Sequence, residues 1–166
     1  MTNKQLKQQL HDILPPLRRF AISLCGSVSD ADDLVQSTVE RLLTRSMPDD
    51  VELIAWAFKV CRNIWIDNYR ARKVREKASQ QVELQRTKSA DNAERVTHAM
   101  QLDEVNQALA RLPDDQRSMI ALVAVQGLSY REVAGILGVP TGTVMSRLAR
   151  ARSKLAEYFE GVSVCS

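Results

Sequence analysis

The chain has 166 residues, of which 45% are hydrophobic and 26% charged, so it can bury a core and is not disordered overall. Six glycines and five prolines are too few turn residues for a many-stranded β architecture and favour helices. The sequence lacks an apolar run near the ~18 residues of a membrane span, its N-terminus is too polar for a secretory signal, and its three scattered cysteines fit reduced thiols. We therefore expect a cytoplasmic protein without membrane insertion.

Charge is segregated along the chain, although the net charge is only +3. Residues 29–52 carry seven acids against two cations, whereas residues 56–77 carry seven cations against two acids. Residues 139–156 carry four cations and no acid. Separate acidic and basic segments predict two kinds of partner, a polyanion and something basic.

Helical periodicity dominates the first half of the chain. A first helix is predicted over residues 5–25, with Pro15 and Pro16 expected to kink or restart it. A second helix is predicted to open at Ser29, as the N-cap, with Asp32 three residues later. After a loop at residues 46–50, one apolar stripe predicts a long helix from about residue 52 to 77.

The second half is also predicted to be helical, after a polar segment at residues 79–98 that is typical of a linker. Helices are expected near residues 100–111, 114–126, 129–137 and 141–159. The predicted fold class is therefore all-α, with two small helical domains joined by a flexible linker and a helix-turn-helix bundle at the C-terminus. The predicted boundaries are 1–78, 79–98 and 99–166.

The segment LSYREVAGILGVPTGTVMSRL carries the most specific pattern. Ser129 and Glu132 have capping-box spacing, Ala134 is small where two helices would cross, and Gly138 can adopt the positive φ of a turn. The apolar contacts between the two helices are assigned to Val133, Leu137, Val139, Val144 and Leu148. This pattern predicts a helix-turn-helix, whose second helix enters the DNA major groove.

The phase of that second helix separates an apolar seam from a cationic face. At 100° per residue, Leu148, Ala151, Leu155 and Phe159 fall close to Val144 and are predicted to be buried. The cationic face lies on a different side of the helix and contains Arg147, Arg150 and Lys154, with Thr143 between them and Ser146 nearby. Arg152 lies at the edge of the seam. A solvated face of a structural helix would also look cationic, but the matching capping and turn residues favour DNA contact.

These motifs resemble the extracytoplasmic-function (ECF) class of bacterial sigma factors. LPDDQRSMIALVAVQGLSYREVAGILGVPTGTVMSRLARARSKL resembles its promoter-reading domain, DADDLVQSTVERLL its polymerase-binding helix, and AWAFKVCRNIWIDNYRARK its promoter-melting helix. The resemblance implies binding to core RNA polymerase through the β′ clamp helices and the β flap, binding to promoter DNA, and control by an anti-sigma factor. It implies neither a cofactor nor a metal.

The resemblance also implies roles for individual residues. Contacts with the minus-thirty-five promoter element are assigned to Tyr130, Thr143, Ser146, Arg147, Arg150 and Lys154. Contacts with the minus-ten element are assigned to Met47, Asp49, Lys59, Arg62, Asn63, Arg70, Arg72 and Lys73. Contacts with core polymerase are assigned to Asp32, Asp33, Gln36 and Arg41.

A few positions depart from the family pattern or stay open. Ser37 stands where an acid is usual, Leu43 where an aromatic often lies, and Met145 where a cation is frequent, so polymerase affinity and base preference can differ from those of relatives. Trp56 is interpreted as a core residue, whereas Trp65 could pack internally or against a partner.

The sequence also bears on two other classes of function. An enzyme is disfavoured because the two histidines, His11 and His98, belong to no metal-spaced cluster and neither a glycine-rich phosphate loop nor a nucleophile elbow is present. A free-standing helix-turn-helix regulator that acts without sigma activity is the main alternative.

Overall fold

The computed structural model describes residues 3–78 and 104–164, and within these ranges every regular element is helical. The first half contains α1 (Asn3–Cys25), α2 (Val28–Thr44) and α3 (Leu53–Ala78). The second half contains α4, whose described part is 104–110, then α5 (Asp114–Ile120), which continues into a π-helical turn at Ala121–Val125, α6 (Tyr130–Leu137) and α7 (Thr141–Val164). The all-α prediction is confirmed, and the segment predicted as a linker lies outside the described residues.

The first three helices pack on one another around a core centred on α1. Leu17, Phe20 and Leu24 are fully buried, and they recur along α1 at the three- and four-residue spacing that puts side chains on one helix face. The ring of Phe20 meets that of Phe58 from α3 edge to face, with centroids 5.1 Å apart, an arrangement that suits the quadrupoles of the two rings. This packing fixes where α2 and α3 present their exposed faces.

The proline pair, which was predicted to kink or restart α1, does not restart it. The helix runs from Asn3 to Cys25 with Pro15 and Pro16 inside it. Each proline removes a hydrogen bond to the carbonyl four residues earlier, which here belongs to His11 and Asp12. Both residues are exposed, so water can hydrate their carbonyl groups, and the helix continues.

The start of α2 also differs from the prediction. The N-cap is Ser27, not Ser29, and its side chain accepts a hydrogen bond from the backbone N–H of Asp30 at 3.4 Å. Gly26 ends α1 with φ of +69°, a conformation that glycine adopts readily. Since the chain is already extended at Ser27, α2 begins two residues earlier than the spacing of Ser29 and Asp32 suggested.

In the second half, α7 packs against α5 and α6. Val144, Leu148 and Ala151 are buried at 0%, 1% and 0% exposure, as predicted for the apolar seam. Leu155 is only partly buried, and Phe159 is 38% exposed, so the prediction of a buried Phe159 was wrong. Its ring instead packs edge to face on neighbouring Tyr158. Phe159 is exposed because the apolar stripe of α7 extends beyond the helices that pack on it.

The two halves share one continuous buried core. Met119 and Leu122 of the second half are fully buried in the cluster that contains Leu17 and Phe20. The π-helical turn packs on α1, and α6 packs on α3. The two predicted domains are therefore docked against each other in this conformation.

Candidate nucleic-acid and polymerase interfaces

One face of α2 is acidic and exposed, opposite the face that packs on the core. Ala31, Leu34, Thr38 and Leu42 are buried on the inner side, at the spacing of one helix face. Asp32, Asp33 and Gln36 are all exposed, whereas Arg41 is half-buried. The outer face also exposes Leu43, 52% of which is accessible. A helix face with carboxylates near its start and an apolar side chain near its end suits a basic partner with some apolar character.

Asp32 has a partner within its own chain. The guanidinium Nε of Arg18 donates to Asp32 Oδ1 at 2.9 Å, and both side chains are 52% exposed. This hydrogen bond, and the negative charge that accepts it, raise the pKa of Arg18. The pair is open to solvent, where such pairs contribute little, so a basic partner can displace Arg18 at small cost.

The loop between α2 and α3 holds two of the residues assigned to the minus-ten element. Asp49 is exposed. Met47 is half-buried and packs against the core cluster. A methionine held by the core cannot reach a base without leaving that contact, so Asp49 is the more accessible of the two.

The basic side of α3 divides into exposed and engaged residues. Lys59 and Asn63 are exposed one helical turn apart, which puts them on the same face. Arg62 lies between them in sequence but points toward the second half of the chain, where its side chain is only 14% exposed. The helix α3 also contains Arg70, Arg72 and Lys73, but the side chains of these three residues lie outside the described part of the structure.

The predicted helix-turn-helix is present, with its capping and turn geometry. Ser129 Oγ accepts from the N–H of Glu132 at 3.1 Å, and the N–H of Ser129 donates to Glu132 Oε2 at 2.8 Å. Gly138 ends α6 with φ of +67°, in the left-handed region. Ala134 is 6% exposed and Val133 fully buried, so α6 and α7 can cross closely, as predicted.

The residues assigned to the minus-thirty-five element do not form one continuous exposed face. Ser146, Arg150 and Lys154 are exposed, whereas Thr143 is half-buried. Arg147, whose side chain is 35% exposed, faces α5. Met145 is 54% exposed, so the position that departs from the family pattern is accessible to a partner.

Tyr130 lies at the start of α6, half-buried, and is tied to α7. Arg152 Nη2 donates to the hydroxyl oxygen of Tyr130 at 3.2 Å. This contact gives Arg152 a structural role, in line with its predicted place at the edge of the seam. It also holds the Tyr130 ring beside α7.

One aspartate that the sequence patterns did not single out joins the two assigned surfaces. Asp115 accepts from Arg62 Nη2 through Oδ1, and from Arg147 Nη1 at 3.3 Å through Oδ2. Ser118 adds to this cluster, because its Oγ accepts from Arg62 Nε at 3.0 Å. The Asp115 carboxylate therefore binds two arginines, one assigned to the minus-ten element and one to the minus-thirty-five element.

The second half also reaches the C-terminal end of α1. Arg117 is 7% exposed, donates through Nε to the carbonyl of Ser23 at 3.1 Å, and lies 5.9 Å from the ring centroid of Trp65. The last carbonyls of a helix lack intrahelical partners and carry partial negative charge, so a guanidinium is favourable there. Asn106 Nδ2 donates to the carbonyl of Gly26 at 3.3 Å, and Gln126 Nε2 to that of Pro16 at 3.0 Å.

These contacts also place the two tryptophans. Trp65 is 6% exposed and packs in the core under Arg117, so of its two possible roles the internal one is observed. Trp56 is half-buried against the same core, which fits its interpretation as a core residue.

No cluster of three or more metal-ligating side chains occurs among residues 3–78 and 104–164. Across these same stretches, no helix is both long and apolar enough to cross a membrane.

Comparison with known proteins finds a family match in each half of the chain. The family described as "Sigma-70, region 4" matches residues 102–155, and the family described as "Sigma2 domain of PhyR" matches residues 10–61. The ECF RNA polymerase sigma factor EcfG of Rhodopseudomonas palustris is 39% identical over 160 residues, which cover 94% of this chain and 87% of the relative.

Two solved structures share the fold over nearly the whole chain. The sigma factor RpoE in complex with the anti-sigma factor NepR from Bartonella quintana has a TM-score of 0.74 at 33% identity, covering 95% of this chain and 98% of that one. CnrH in complex with the cytosolic domain of CnrY has a TM-score of 0.72 at 25% identity, covering 96% and 90%. On this identity and coverage, the chain belongs to the family of ECF RNA polymerase sigma factors.

Proposed function

We propose that this chain binds core RNA polymerase and directs promoter-specific initiation of transcription, reading a minus-thirty-five element with α7 and a minus-ten element with α3. The observation that carries the proposal is the combination, in one chain of this family, of an exposed acidic face on α2 with a helix-turn-helix whose second helix exposes Arg150 and Lys154. Neither surface alone separates a sigma factor from other DNA-binding proteins.

The proposed polymerase contact is the outer face of α2. Asp32, Asp33 and Gln36 would meet basic side chains of the β′ clamp helices, with Arg41 at the edge. Charge complementarity of this kind speeds association and fixes orientation more than it adds affinity. We assign the β flap to the second half of the chain.

The proposed promoter contacts differ in kind between the two helices. On α7, Arg147 and Arg150 carry the forked guanidinium that suits the acceptors of guanine in the major groove. The same helix adds Thr143, Ser146 and Lys154, and Tyr130 contributes from the start of α6. On α3 and its preceding loop, Lys59, Asn63 and Asp49 are accessible to an opened strand. Unstacking a few bases costs a few kcal/mol each, which phosphate contacts and base pockets offset.

We also propose an anti-sigma factor as a regulatory partner. The support is that RpoE and CnrH, which share this fold over more than nine-tenths of the chain, were solved with NepR and with the cytosolic domain of CnrY. We further infer a cytoplasmic protein without catalytic activity of its own, divided into the domains 1–78 and 99–166.

The decisive experiment is run-off transcription with purified core polymerase over a library of genomic promoters. We expect specific transcripts only when the chain is added, and co-elution of the chain with core polymerase. A chain that binds duplex DNA, never co-elutes with core polymerase and yields no transcript would instead be a free-standing helix-turn-helix regulator.

A further inference from the structure

We propose that the free chain is held in a closed state by an acidic latch at Asp115, which occupies the DNA-binding arginines of both halves at once. The inference rests on the proposed function for the meaning of those arginines. The latch itself concerns only the free chain and DNA. It consists of Asp115 and Ser118 on α5, Arg62 on α3 and Arg147 on α7.

The geometry of the Asp115 carboxylate allows two guanidinium partners at once. Its two oxygens accept from two different arginines, one in each half of the chain. A carboxylate and a phosphate offer similar oxygen acceptors to a guanidinium. Asp115 therefore stands where a DNA phosphate would stand if either arginine bound the backbone.

In the closed state, both arginines are shielded from DNA to different degrees. The Arg62 side chain is only 14% exposed, with Ser118 on its Nε, so a phosphate cannot reach it while α5 stays in place. Arg147 is 35% exposed on the same side. DNA can engage Arg62 only after α5 moves away from α3, which means separation of the two halves. Arg147 lies in the same half as Asp115, so DNA engages it by displacing the carboxylate.

The closed state does not depend on the latch alone. Behind the latch, the halves share buried apolar surface at Met119 and Leu122. Arg117 also donates to the carbonyl of Ser23. Such an interface can persist without the latch, whereas the latch is the part that DNA competes with directly. Its loss should therefore shift the equilibrium toward open chains without unfolding either half.

The test compares Asp115→Asn with Asp114→Asn in the full chain. Both acids lie in the first turn of α5, so both variants change net charge and the helix N-terminus alike, but only Asp115 contacts Arg62 and Arg147. The ligand is a short fluorescent DNA duplex of mixed sequence. Non-specific binding to the phosphates then measures whether the two arginines are accessible to DNA, and it requires no knowledge of the promoter sequence.

We expect Asp115→Asn to bind this duplex about threefold to tenfold more tightly than Asp114→Asn, the range that two partly exposed ion pairs supply. The plot of log affinity against log salt should steepen by about 1.8, because two more arginines contact phosphates. Small-angle X-ray scattering should give a larger radius of gyration for Asp115→Asn alone. Ser118→Ala, which removes one hydrogen bond to Arg62, should show a smaller gain in affinity.

Equal affinities and salt slopes for the two aspartate variants would overturn the latch, as would a radius of gyration unchanged by Asp115→Asn. Circular dichroism establishes that each variant keeps its helices, and if Asp115→Asn loses them, Ser118→Ala decides the question in the same assays. A wild-type chain that fails to initiate with core polymerase would refute sigma activity. A gain by Asp115→Asn in the duplex assay would still support the latch in that case.

Discussion

The capping box at the start of α6 provides a sharp test of how the helix-turn-helix is built. In Ser129→Ala, the N–H of Glu132 loses its acceptor at 3.1 Å, while the reverse hydrogen bond, from the N–H of Ser129 to the Glu132 carboxylate, can persist. Both residues are exposed, so the freed N–H reaches water and no cavity forms. We therefore expect a loss of about 1 kcal/mol in the free energy of unfolding, the middle of the range for N-cap deletions.

The assay is urea unfolding followed by far-UV circular dichroism, with Ser129→Asp as the matched control. Aspartate keeps an acceptor and adds negative charge at a helix N-terminus, where it is favourable, so it should stay within about 0.5 kcal/mol of wild type. A double-mutant cycle with Glu132→Ala should give a non-zero coupling energy, because the two side chains share one motif. A loss below about 0.3 kcal/mol for Ser129→Ala, or equal losses for alanine and aspartate, would refute the box as the determinant of where α6 starts.

Three further predictions concern the other surfaces and the core. The paired change Asp32→Lys, Asp33→Lys reverses the charge of the α2 face, so it should abolish co-elution with core polymerase while the full chain still binds duplex DNA. Normal assembly with core polymerase would show that this face is exposed to solvent without binding polymerase. Arg150→Ala should weaken binding to the upstream element by about 1–3 kcal/mol, measured on a promoter found by run-off transcription. The Arg152 side chain binds α6, so Arg152→Ala should reduce stability and leave base preference intact. A changed base preference in Arg152→Ala would contradict this assignment. Burial raises the pKa of the Cys61 thiol from 9.0 to about 12, so the folded state holds this proton more tightly than the unfolded one, and stability present below pH 9 should fall as the pH rises toward 12, by roughly 1 kcal/mol per pH unit. Urea unfolding between these pH values should show a shallower decline for Cys61→Ala, and parallel declines would argue against a titrating thiol.

Local patterns predicted the helix-turn-helix well, because its determinants lie within a few residues of one another. The capping box spans residues 129–132, the turn depends on one glycine, and the seam of α7 repeats every three or four residues. The predictions failed where a local pattern depended on neighbouring elements of the fold. Ser27 rather than Ser29 caps α2 because Gly26 fixes where α1 ends, and Phe159 is exposed because helix phase does not reveal how far the partner surface extends.

The interfaces show the same division between local and distant information. The exposure of Asp32, Asp33 and Gln36 follows from the phase of α2 and could be read from the sequence. The engagement of Arg62 and Arg147 could not, because their common partner Asp115 is 53 and 32 residues away in the chain. A cationic segment predicts an anionic partner, but not whether that partner is DNA or an aspartate of the same chain.

The hydrogen bonds from the second half to α1 and to Gly26, which follows it, have a consequence for how this chain can change over evolution. Asn106, Arg117 and Gln126 all donate to backbone carbonyls, those of Gly26, Ser23 and Pro16. Every residue type carries a backbone carbonyl, so substitutions along α1 leave these acceptors in place. The strength of docking between the halves can therefore be adjusted by substitutions at three donor positions of the second half, while the surface of α1 remains free to diverge.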